Sequence, residues 1–286
     1  MEEVILQHRE KEIIIMAVTN FIQSIWSKSI LDDLELKTKL VNNCLRTYEG
    51  DCKYAQSVKI LGVGEPTIRE YDGTTPITVE EMSDKGQMLT IDQQNYFAFY
   101  VDDVNEAQSV PGLPEEYQKK AVHGLAIKRD SYVANLIKGA TNVTTATNLT
   151  QDAVKQAIDD AIVKLRERNF DEEGVIEISP AVYNVFKNCL ITLSTANPEY
   201  IKKGIVGTYD DFEVCMSNNM AKDSSHVYCD IRGKKAIAFA GQINKVEALR
   251  SEQFFKDQIR GLDTFGAKVI DNARIQVVKV PVTATA

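Results

Sequence analysis

The chain has 286 residues, 44% of them apolar and 26% charged, with a formal net charge of −8. Such a length suits one large domain or two modest ones, and the composition is that of a folded globular protein. No apolar run approaches the ~18 residues of a membrane span, and the acidic balance argues against a broad basic face that holds nucleic acid by displacing counterions.

The first apolar run, Ile13 to Val18, is short and follows mixed charges, which is wrong for a secretory signal. Five scattered cysteines, Cys44, Cys52, Cys189, Cys215 and Cys229, form no C-x-x-C pair and read as reduced cytoplasmic thiols. From Met16 to about Tyr48 the periodicity is mixed and charges are many, which predicts an extended arm with a short helix and little core of its own. Residues 1–15 read either as translated upstream sequence, with Met16 the true start, or as a genuine arm.

From Ser57 to Val104 the pattern turns to strand. VKILGVGEPTIREYD and TTPITVEEM flank Asp72-Gly73, a dipeptide that tolerates positive φ and favours hairpin turns. This ribbon is too polar to bury itself, so it is expected to lie on its own body or on a neighbouring subunit. After Asp84-Lys85-Gly86, the run Tyr96 to Val101 predicts an aromatic strand that returns to the core.

Pro111 to Pro114 then punctuates the chain. Val122, Leu125, Ala126, Val133, Leu136 and Ile137 fall on one stripe of a long amphipathic helix, about 25 residues and therefore roughly 38 Å long. The polar TNVTTATN reads as a link between two lobes, and Thr150 as the cap of a second helix that buries Val154, Ala157, Ile158, Ala161, Ile162 and Leu165. GVIEIS predicts a short buried strand, and Ser179-Pro180 opens a further helix. Beyond it FEVCMSN, SHVYCDI, KAIAFAG, KVEAL, AKVID and RIQVVKV are strand-like, with an ambiguous aromatic segment from Glu252 to Leu262. The fold class is α+β.

Chemistry-bearing patterns are weak. Gly62 and Gly64 lack a third glycine and a following helix, and the common phosphate, acyl-transfer and zinc signatures are absent. His8, His123 and His226 are isolated, and His123 has no acid at i±3 or i±4 to make it a general base. The acid pairs Asp102-Asp103, Asp159-Asp160 and Asp210-Asp211 point their side chains in different directions and read as surface or turn residues. In GTYDDFEVCMSNNM, Phe212, Val214 and Met216 share a core face, Glu213, Cys215 and Ser217 an exposed one, with turns at Asp210-Asp211 and Ser217-Asn218-Asn219. Cys215 and Cys229 could approach each other on neighbouring strands, but two thiols without a histidine or acid partner fall short of a zinc site. No catalytic, cofactor-binding or metal residue is nominated.

The order of these pieces resembles one family, the major capsid proteins of tailed bacteriophages, whose shell fold is named for phage Hong Kong 97. FAFYVDDVNEAQS leading to KRDSYVANLI, with Asp130 and Tyr132, is similar to the family's strand entering its spine helix. FDEEGVIEISPAVYNVF resembles the strand-then-helix of the axial domain, and KKGIVGTYDDFEVCMSNNM the turn, aromatic, strand and Ser-Asn motif. KAIAFAGQINKVEALRSEQFFKDQIRGLDTFGAKVI resembles the closing peripheral segment, and the family's frequent glycine before the aromatic is here Asp211.

The resemblance implies a capsid fold with an N-terminal arm (1–54), an extended β-hairpin loop (55–95), a peripheral domain with the spine helix (96–145), an axial domain (146–240) and a return segment to the peripheral domain (241–286). It implies a non-enzymatic protein without cofactors that self-assembles as hexamers and pentamers into an icosahedral head shell around double-stranded DNA. Scaffolding and portal proteins are the implied partners, with non-specific proximity to packaged DNA and no membrane. The implied place is the virion capsid, assembled in the bacterial host cytoplasm. An encapsulin-type bacterial compartment shell and an α+β enzyme using Asp210-Asp211 are the alternatives. No Lys, Asn and Glu set is nominated for covalent cross-linking between subunits.

Overall fold

The computed structural model describes residues 34, 37–49, 57–60, 68, 86–102, 113–187, 205–250 and 256–282. In chain order the strands are β1 (Ser57–Ile60), β2 (Gln87–Thr90), β3 (Gln93–Asp102), β4 (Val143–Thr145), β5 (Gly174–Ile178), β6 (Ile205–Tyr209), β7 (Phe212–Met216), β8 (His226–Gly233), β9 (Ile237–Arg250), β10 (Lys256–Val269) and β11 (Ile275–Pro281). The helices are α1 (Leu113–Lys138), α2 (Gln151–Arg166) and α3 (Pro180–Phe186), and a 3-10 turn spans Val41–Asn43. The expected α+β mixture is present.

The predicted long helix is α1, 26 residues and therefore about 39 Å. Val122, Leu125, Ala126, Val133 and Ile137 of the predicted stripe are buried, and Leu136 is partly buried. One half of α1 lies on a three-stranded antiparallel sheet ordered β3-β10-β9. The Tyr96 to Val101 run is part of β3, where Phe97 turns inward and Tyr96 and Tyr100 outward, as two-residue alternation requires. KAIAFAG and KVEAL form one long strand, β9, and the ambiguous segment ends in β10.

The other half of α1 meets a six-stranded mixed sheet ordered β4-β11-β8-β5-β7-β6. All six predicted core positions of α2 are buried. Thr150 does occupy its N-cap, but its hydroxyl bonds to Asn148 Oδ1 at 2.6 Å and makes no cap bond, because the Asn148 side chain competes for it locally. Ser179 caps α3 as expected, accepting from the Val182 N–H, with Pro180 in the first turn.

Three expectations need correction. TNVTTATN is no simple link: Val143–Thr145 pairs in parallel with β11, so its backbone groups are satisfied inside the sheet. The range 241–286 does not return as one piece, since β9 and β10 build the three-stranded sheet whereas β11 pairs with β8 and β4 in the other. Likewise β4, assigned to 96–145, belongs with the strands of 146–240.

Residues 40–44, read as part of an arm with little core, bury Leu40, Val41 and Cys44 in the main core. Leu45 bridges β9, with its N–H on the Ile237 carbonyl and its carbonyl accepting from the Phe239 N–H, both at 2.9 Å. The ribbon base also rests on its own body: Val58, Ile60 and Leu89 of the β1–β2 pair pack against Ala238 and Ala240. Asp72-Gly73, TTPITVEEM, Gly62, Gly64, His8, Cys52 and Cys189 lie outside the described residues, as do residues 1–15.

Candidate functional site

The histidines and acid pairs weighed in the sequence are not brought together among the described residues. His123 is exposed on α1. Asp159 accepts from the Tyr209 hydroxyl at 2.6 Å while Asp160 faces solvent, and Asp103 lies outside the described residues. Asp210 and Asp211 form the turn between β6 and β7 with φ of 49° and 69°. Positive φ at both central positions is the conformation a two-residue hairpin requires, and aspartate tolerates it better than most residues. Among the described residues no group of His, Cys, Asp and Glu could hold a metal ion.

GTYDDFEVCMSNNM is more buried than its alternation predicts. Phe212 and Val214 are core, as expected, but Cys215 and Ser217 are buried too. β7 is interior to the sheet, between β5 and β6, and both its faces are covered. On one side Tyr209, the register partner of Phe212, touches Asp159 of α2 and Phe186 of α3. On the other side Asn43 reaches Cys215. Cys215 and Cys229 are not on neighbouring strands, because β5 runs between β7 and β8.

The second face of this sheet carries a cluster that sequence reasoning missed. Glu177 on β5 and Asp230 on β8 are register partners, so their side chains lie side by side; Arg232, two residues along β8, shares their face. All three are fully buried. Arg232 Nη1 donates to the Asn43 carbonyl at 2.7 Å, and Nη2 to the Leu40 carbonyl at 3.2 Å and to Glu177 Oε1 at 2.9 Å. Asn43 Nδ2 donates to the same Glu177 oxygen at 2.7 Å. Burial works against the Arg232 charge, but Glu177, Cys44 and Asp230 outweigh it and hold the guanidinium above its ordinary range. Asp230 lies well above the usual carboxylate range, driven by burial and then by Glu177, with Arg232 opposing. Burial pushes the thiols of Cys44, Cys215 and Cys229 up to about 12, so they are inert rather than nucleophilic.

From the opposite side α1 supplies Asp130, fully buried. Its Oδ1 accepts the N–H groups of Leu40 and Val41 at 3.2 and 3.3 Å, and its Oδ2 those of Lys39 and Asn219 Nδ2 at 3.1 and 3.2 Å. Three successive backbone N–H groups entering a 3-10 turn have no partners within the turn, and this carboxylate satisfies them. Burial pushes Asp130 up to about 6, with the Lys39, Asn219 and Val41 hydrogen bonds opposing. Its neighbour Arg129 turns the other way, donating from Nε to Asp263 Oδ2 on β10 at 3.1 Å and from Nη2 to Oδ1. The guanidinium also lies 5.6 and 5.7 Å from the Phe239 and Phe265 ring centroids.

Two adjacent residues of one helix therefore fasten different parts of the molecule. Arg129 holds the three-stranded sheet, and Asp130 with Arg232 holds residues 39–43 onto the six-stranded one. Chemically this arrangement binds backbone.

No protein-family model matches the sequence, and no curated protein matches it. Solved structures do. A chain of Mycobacterium phage Che8 is 24% identical and superposes with a TM-score of 0.67 over 84% of this chain and 90% of its own. The capsid of Cyanophage P-SCSP1u gives 14% identity and 0.63 over 83% and 86%. A virus-like particle from Pyrococcus furiosus gives 14% identity and 0.56 over 90% and 99%. Spine helix, three-stranded sheet, ribbon base and six-stranded sheet, in that connectivity and over that share of the chain, are the Hong Kong 97-type capsid shell fold.

Proposed function

We propose that this chain is a major capsid protein that self-assembles, as hexamers and pentamers, into the icosahedral head shell enclosing the double-stranded DNA of a tailed phage. The observation that carries the reading is the shared fold, which spans most of the chain and most of the phage chains it matches. The internal construction supports it: the buried polar residues hold chain segments together. The role proposed is structural, without catalysis.

Other features agree with a shell subunit. The outer face of the three-stranded sheet exposes Tyr96 (79%) and Tyr100 (65%) together with Leu249 and Leu262, apolar surface that a neighbouring subunit would cover. Head-to-tail contacts that close into rings are the geometry such a subunit requires. The net charge of −8 keeps the shell from gripping its genome. Scaffolding and portal proteins are the expected partners, with assembly in the host cytoplasm and the virion capsid as destination.

Negative-stain microscopy of the expressed full chain, alone and with a scaffold partner, tests the reading. Closed shells or capsomer rings are expected. A stable monomer under both conditions would overturn it.

A further inference from the structure

The buried cluster on the inner face of β5 and β8 holds more acid than base. Glu177 Oε1 is saturated by Asn43 and Arg232, but Glu177 Oε2, both Asp230 oxygens and Arg232 Nε have no hydrogen-bond partner among the described residues. Arg232 Nε lies 3.1 Å from Asp230 Oδ2, yet off the axis of a hydrogen bond. Two carboxylates placed side by side by strand register can only repel one another unless one of them carries a proton.

We propose that Glu177 and Asp230 share one proton, carried on Asp230 and donated to Glu177, and that closing residues 38–45 over this pair takes the proton up from solvent. The charged and titratable groups around the pair support that count. Residues 38–45 bring Cys44, and Lys39, whose Nζ is on the Met216 carbonyl at 3.2 Å. α1 brings Asp130, since Arg129 is committed to Asp263. β7 brings the Cys215 thiol, and Glu213, which is bonded to Lys234 at 3.0 Å. β11 places only Val277 opposite Asp230. Arg232 and Lys39 thus face Glu177, Asp230 and Asp130, and a single proton balances the set.

Residues 40 and 43 roof the cluster, because Arg232 gives two of its hydrogen bonds to their carbonyls. When they lift, water reaches Asp230 and the proton leaves. The closed form therefore binds one proton more than the open form, and closing weakens as pH rises, by up to about tenfold per pH unit. Asp130 acts with the same sign, but its contribution is complete near pH 6, so the range from about pH 7 to 9 isolates the Glu177–Asp230 pair.

The test is hydrogen exchange on the full chain over that range, corrected for the intrinsic pH dependence. The readout is the Leu45 and Phe239 amides, whose bonds join the segment to β9. The opening equilibrium is expected to rise with pH by up to about tenfold per unit in the wild type and to be flat in Asp230→Asn. Infrared spectra near pH 8 should show a protonated-carboxyl band that Glu177→Gln abolishes by freeing Asp230 to ionise against Arg232. Equal slopes in wild type and Asp230→Asn would overturn the proposal, as would a flat wild-type response. Should Asp230→Asn fail to fold, the infrared band of the wild type decides, and its absence is fatal. Both arms are read on the protein itself, so their outcome is separate from that of the shell-assembly experiment.

Discussion

Replacing Asp130 by alanine removes the acceptor for the N–H groups of Lys39, Leu40 and Val41. Each buried donor left without a partner costs about 1–3 kcal/mol, so three cost roughly 3–9 kcal/mol, and about 5 kcal/mol where some water enters. Against this stands the cost of burying the carboxylate itself. A carboxyl raised from 3.8 to about 6 loses about 3 kcal/mol of stability at pH 7 relative to strong acid, by linkage. Alanine recovers that amount, and the net expectation is a loss of about 2 kcal/mol at pH 7.

The sign with pH follows from the raised value. A raised carboxyl gives stability that is fully present below its unfolded pKa, near 4, and lost as pH rises through about 6. At pH 5 the wild type still keeps about 1 kcal/mol of this contribution, which the variant never has. The loss in Asp130→Ala should therefore grow to about 3 kcal/mol at pH 5. Urea unfolding of the unassembled chain at both pH values, followed by tryptophan fluorescence and circular dichroism, measures it. A loss below 1 kcal/mol at both values, or one larger at pH 7 than at pH 5, would refute the reasoning.

Arg129→Lys keeps the charge but gives up the two-pronged contact with Asp263 and the stacking on Phe239 and Phe265. A loss of about 2 kcal/mol is expected in the same unfolding assay. Asp211→Gly relieves a φ of 69° in the β6–β7 turn and should raise the melting temperature, by the equivalent of about 0.5–1 kcal/mol. Gly266→Ala would put a Cβ 2.1 Å from the Thr90 carbonyl oxygen. That contact is with backbone, so β2 must shift off β10, at a cost of about 1–3 kcal/mol and with raised exchange at Leu89 and Thr90. Gly174→Ala drives a Cβ to 2.3 Å from the Phe212 ring, and an unchanged melting temperature there would show that the ring yields freely.

The parts of this fold that were legible from sequence are those whose partners are implied by their own spacing. The stripe from Val122 to Ile137 and the α2 positions from Val154 to Leu165 each define a buried face, whatever that face meets. Ser179-Pro180 and Asp210-Asp211 are local in the same sense: a cap and a turn are made by a few successive residues. The pairing of β4 with β11, 134 residues apart at Val143 and Val277, has no such local signature. Nor does the presence of β5 between the strands of Cys215 and Cys229.

The buried cluster is not legible from alternation, which assigns the charged face of a strand to solvent. That inference holds only where one face of a sheet is open. Here Leu40 to Cys44 cover the second face, so Cys215, Glu177 and Arg232 are as buried as Val214 and Ile176. A signal was nonetheless present. GVIEIS is a strand expected to be buried throughout, and an acid in its middle demands a buried cation. The nearest cation fit for that role lies in a strand rather than a loop: Arg232 follows Asp230 at the two-residue spacing that puts both on one face. Asp130 needs the same argument from the helix side, since it falls between Ala126 and Val133 on the stripe that α1 buries. Charged residues at core positions of three separate elements cannot each be solvated, and so they must meet; what they enclose is the chain segment that closes over them.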